Sequence, residues 1–87
     1  MDQVLHNIEN DPDTVEIIVH IAGTLEEQRR GRLVAALRNV NGIVSAEFCP
    51  LRYHLMLIRY DRDLYSSQDV VAKVKSHNVY SRLVGWA

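Results

Sequence analysis

The hydrophobic pattern of this 87-residue chain changes period four times, and the order of those changes leaves few folds open. Thr14 to Ala22 (TVEIIVHIA) alternates, with Val15, Ile17, Val19 and Ile21 on one face and Glu16, Ile18, His20 and Ala22 on the other, as a half-buried strand does. Gly23 ends it, and Thr24-Leu25-Glu26-Glu27 has the spacing of a capping box that opens a helix. Leu25, Leu33, Leu37 and Val40 then recur at helical spacing, while Arg29, Arg30, Arg32 and Arg38 fall largely off that stripe. Asn41-Gly42 closes the helix, and Ile43 to Cys49 resumes an extended pattern up to Pro50. Tyr53 to Tyr60 (YHLMLIRY) predicts a third strand paired with the second as a hairpin. Ser66 or Ser67 caps a second helix with Val70, Val71 and Val74 inward, and Val79 to Trp86 supplies the last strand.

Strand, helix, strand, strand, helix, strand is the split βαβ order. The fold class is α+β: a ferredoxin-like βαββαβ sandwich with a four-stranded antiparallel sheet, two helices on one face and the other face open. The length suits one domain, assigned to residues 14–87. Residues 1–13 are polar and turn-prone and are expected to form a flexible lead-in, within which Val4, Leu5 and Ile8 offer one way to cover the open face. No secretory signal or long apolar run is present, so a cytoplasmic location without membrane contact is the default expectation.

Gly23-Thr24-Leu25-Glu26-Glu27-Gln28-Arg29, continuing through Leu33, Ala36, Leu37, Val40, Gly42 and Ile43, resembles the heavy-metal-associated domain family, and Tyr60-Asp61 matches the Tyr-Asp that closes the family's third strand. In that family a Gly-Met-x-Cys-x-x-Cys loop leads into the first helix. The resemblance implies the same fold and a metal loop at Gly23 to Arg29, but Glu26 and Arg29 stand where the family has its two cysteines, and Thr24 where it has methionine. Two thiolates at a helix N-terminus clamp a cuprous ion, because the helix dipole lowers their pKa and soft sulfur suits that metal. A carboxylate and a guanidinium do not, and Glu26 and Arg29 are expected to form a surface ion pair instead. The chain therefore reads as a degenerate member without the Cys-x-x-Cys loop.

Cys49 is the only cysteine, which excludes an internal disulfide and a four-cysteine zinc site. With His6, His20, His54 and His77 it makes up the candidate ligand set, although no pair has metal-binding spacing in the sequence. Strand parity directs His20 to the open face and His54 inward, and a bulge near Pro50 would reverse His54 and let the two meet across the sheet. No cofactor is assigned, with copper or zinc left open for a site built from Cys49, His20 and His54.

Alternation places Ile18 and His20, then Tyr53, Leu55, Leu57 and Arg59, then Tyr80, Arg82, Val84 and Trp86 on the open face. That set is apolar and aromatic, the composition of an interface, so the leading expectation is a non-catalytic module that binds a protein partner or a second copy there. The alternative is metal binding or delivery through non-standard cysteine and histidine ligands. A third reading is an anion-binding or small-ligand domain. Ten basic against eleven acidic residues give a net charge of −1, which argues against nucleic acid, and no ribonucleoprotein signature is present. No nucleophile elbow or glycine-rich phosphate loop appears, so no enzymatic activity is expected.

Overall fold

A computed structural model of the chain describes residues 13–23 and 25–86. The elements among them are β1 (Thr14–Ile21), α1 (Glu27–Arg38), β2 (Ile43–Cys49), β3 (Arg52–Asp61), α2 (Ser67–Lys75) and β4 (Ser81–Trp86). The strands form one antiparallel sheet in the order β2-β3-β1-β4, which is the ferredoxin-like arrangement. Most of the lead-in, with Val4, Leu5 and Ile8, lies outside the described residues. Asp13 is held to the sheet, its carbonyl accepting from the Arg62 N–H at 2.8 Å.

The core sits between the sheet and the helices. Ile17 faces Ile58 and Val19 faces Met56 across the β1–β3 pair, and all four side chains are fully buried. Leu33 and Leu37 from α1, with Val70, Val71 and Val74 from α2, close over them. Each such side chain contributes about 1.5–3 kcal/mol through burial. β-branched residues in the strands fit this layer because their restricted rotamers suit a pleated surface.

The capping box falls on α2. Ser66 Oγ accepts from the Asp69 N–H at 3.1 Å, and Asp69 Oδ2 accepts from the Ser66 N–H at 2.9 Å. α1 opens at Glu27 with Glu26 at the cap position and no side-chain cap bond, which corrects the box read at Thr24 to Glu27; Thr24 itself lies outside the described residues. The reason is Leu25, which drops into the core before the first turn while its carbonyl accepts from Arg30 Nη1 at 2.6 Å.

Gly42, at φ +97°, makes the turn from α1 into β2. The turn is fastened to the β3–α2 connection, with the Asp61 N–H donating to the Gly42 carbonyl at 2.8 Å and Tyr65 Oη donating to the Asn41 carbonyl at 2.6 Å.

Candidate functional site

Strand register decides which side chains share the open face. Glu16, Ile18 and His20 of β1 lie opposite Arg59, Leu57 and Leu55 of β3. On β2, Ser45 and Glu47 pair with Arg59 and Leu57, so they extend the face to that edge. Arg82 of β4 pairs with His20, and Tyr80 continues the same register, its carbonyl accepting from the Ala22 N–H at 2.8 Å. Ile18, Leu55 and Leu57 form a half-buried apolar centre, with Tyr80 84% exposed beyond it. Glu16 and Arg59 approach to 3.9 Å, and Arg59 also donates to Thr14 Oγ1 at 3.2 Å.

Two irregularities revise the face read from alternation. The β1–β4 register shifts between Ile18 and Val19, leaving Val84 without a partner and setting Trp86 opposite the buried Ile17. Trp86 is thereby turned to the side of the buried Ile17 and stands near Tyr60, although it remains 61% exposed. Burial pushes the Tyr60 phenol above its ordinary value of 10.0, and the neighbouring Trp86 indole partly offsets that rise. The expectation that Trp86 belongs to the open face is corrected by this one-residue bulge.

The second irregularity lies at the hairpin, where Phe48 pairs with Met56 but Cys49 pairs with Arg52. Tyr53, His54 and Leu55 are surplus on β3. Tyr53 leaves the open face and lies under the Arg30 guanidinium of α1, 4.2 Å from ring centre to carbon. His54, expected inward, is exposed, and its ring meets that of His20 edge-on with centres 5.7 Å apart and planes at 66°.

This histidine pair stands beside the β1–α1 loop, because His54 shares a depression of about 180 Å³ with Gly23, Leu25, Arg30 and Tyr53. On its other side His20 borders a second depression, of about 200 Å³, with Ala22, Tyr80, Ser81 and Arg82. Cys49 is a free, partly buried thiol. No group of three or more His, Cys, Asp or Glu is gathered among the described residues, so Cys49 does not join the two histidines.

The loop residues do not provide a cuprous clamp. Glu26 occupies the helix cap, and Arg29 Nη2 donates to the Asn78 carbonyl at 3.1 Å, which replaces the expected Glu26–Arg29 ion pair. Asn78, at φ +63°, stands just past the end of α2, where carbonyls carry partial negative charge and attract a guanidinium. Among the candidate ligands, His20 and His54 are the two whose rings are brought into contact. Two imidazoles on one tetrahedral ion, with metal–nitrogen bonds of about 2.0 Å, hold their ring centres roughly 5 Å apart.

Neither a family model nor a curated protein matches the chain. Solved structures do. The copper binding domain from HMA7, a P-type ATPase, superposes with a TM-score of 0.73 at 21% identity, covering 83% of this chain and 96% of that one. The N-terminal domain of a potential copper-translocating P-type ATPase from Bacillus subtilis, in its Cu(I)-loaded state, gives 0.73 at 18% identity, covering 85% and 91%. The Cu(I)-loaded first domain of the human copper chaperone for SOD1 gives 0.71 at 18% identity, covering 85% and 97%. No helix among the described residues is long and apolar enough to cross a membrane. The chain has the fold of the heavy-metal-associated, copper-binding domains.

Proposed function

We propose that this chain is a non-catalytic metal-binding module in which imidazoles at the end of the sheet replace the thiolates of the β1–α1 loop. The observation that carries this reading is the contact between His20 and His54, whose ring centres are 5.7 Å apart, close to the spacing of two imidazoles on one ion. The fold adds support, since the pair stands next to the loop in which copper-binding relatives are expected to hold their ion. Imidazole nitrogen favours a borderline divalent ion, zinc or cupric copper, over the cuprous ion that paired thiolates select.

Zinc affinity, measured by competition with a chromophoric chelator, tests the assignment. His20→Ala and His54→Ala should each weaken binding by more than about tenfold, the cost of losing even an outer-shell partner. Cys49→Ser should leave it unchanged. Retained affinity in both histidine variants, or loss in Cys49→Ser, would overturn the imidazole site.

A further inference from the structure

We infer that a second copy of this chain completes the histidine site, the two open sheet faces packing together so that four imidazoles surround one zinc ion. This rests on the metal-binding reading above and adds to it the partner and the stoichiometry. The first ground is the donor count. A closed zinc site takes four protein ligands in a tetrahedron, whereas the described residues of one chain bring together two histidines and no third metal-binding side chain.

The second ground is the layout of the face. The sheet order is β2-β3-β1-β4, so its midline runs between β3 and β1. Consider a two-fold axis lying in the interface and parallel to the strands, the self-complementary arrangement of an isologous dimer. It sets β1 of one copy over β3 of the other, so Ile18 of each protomer meets Leu57 of its partner in a dry centre. It leaves position along the strands unchanged, so both His20–His54 pairs arrive at the same end of the dimer. Facing sheets stand about 10 Å apart, and imidazoles from each side need cross only half that gap.

The third ground is charge. The same axis sets β4 of one copy over β2 of the other. Arg82 on β4 and Glu47 on β2 both belong to the open face, and neither side chain makes a hydrogen bond or ion pair among the described residues. Glu16 and Arg59, nearer the midline, are already paired within one chain. Arg82 is level with His20 and Glu47 with Ile18, two residues or about 7 Å apart along the strands, a gap that the long arginine side chain can bridge to the opposite charge twice per dimer. A standard interface takes about 800 Å² from each partner, roughly a seventh of the 5976 Å² surface of the chain.

Native mass spectrometry of the full 87-residue chain with added Zn²⁺, backed by sedimentation, tests the arrangement. The expected result is a dimer holding one zinc ion, lost in Leu57→Glu. Glu47→Arg and Arg82→Glu should each weaken the zinc-linked dimer by about tenfold or more, and the double exchange should restore it, since a 1.4 kcal/mol pairing corresponds to a factor of ten. A monomer holding one zinc through His20 and His54 would overturn the shared site while leaving the metal-binding reading intact. No zinc binding in either state would overturn both. A zinc-linked dimer indifferent to Leu57→Glu and to the charge exchanges would overturn the sheet face as its interface.

Discussion

Ser66 and Asp69 show how much one reciprocal pair of side chains decides locally. Their two hydrogen bonds satisfy backbone donors at the start of α2 that the helix cannot satisfy itself. Ser66→Ala should lower stability by about 1 kcal/mol in urea denaturation, the usual cost of losing a cap. The Asp69 carboxyl is held below its ordinary value of 3.8, first by the Ser66 backbone N–H and then by the Ser66 hydroxyl. A depressed carboxylate adds stability that is complete above 3.8 and is lost as pH falls through the lower folded-state value. Acid unfolding of Ser66→Ala should therefore be less steep below pH 3.8 than that of the parent, and an unchanged slope would count against the cap. The sequence narrowed the cap to Ser66 or Ser67, and the reciprocal bonding with Asp69 assigns it to Ser66. The equivalent reading at Thr24 misassigned α1, because spacing alone could not reveal that Leu25 is committed to the core first.

At the scale of elements, the turns and strand irregularities carry the information that periodicity lacked. Gly42 is legible as a helix stop, but its tightness comes from packing: an added Cβ would lie 2.7 Å from the Tyr65 ring and 2.8 Å from a Leu64 methyl. Gly42→Ala should cost about 1–3 kcal/mol, from the positive φ together with that crowding, read as a drop in the urea midpoint. Ile18, His20, Leu55 and Leu57 could be placed from alternation because β1 and β3 pair without interruption through them. Trp86, Tyr53 and His54 could not, since each follows or precedes a break in register that no period-two pattern encodes. Trp86→Ala supplies a check. It should reduce stability by about 1 kcal/mol or less, since Trp86 is 61% exposed, yet leave zinc stoichiometry and dimer formation unchanged. Loss of the dimer would return Trp86 to the interface.

For the whole molecule, topology was the most legible level: six elements in order, with turn residues at nearly every junction, admit little besides a ferredoxin-like sheet. The β2 edge of the open face was less so, because Ser45 and Glu47 belong to it only through pairing with Arg59 and Leu57. The histidine pair was legible only as a conditional, dependent on a bulge at the hairpin. Fold and chemistry are separable here, since the backbone is that of copper-binding domains while the β1–α1 loop holds no thiol. The surplus residues at the two irregularities also bear on inheritance. A lineage that gains or loses one codon at Val84, or within Tyr53 to Leu55, would exchange which neighbouring residues meet solvent and which meet the helices without altering any other amino acid. In such a lineage, gap placement along these strands would report a change of ligand or partner before any substitution did.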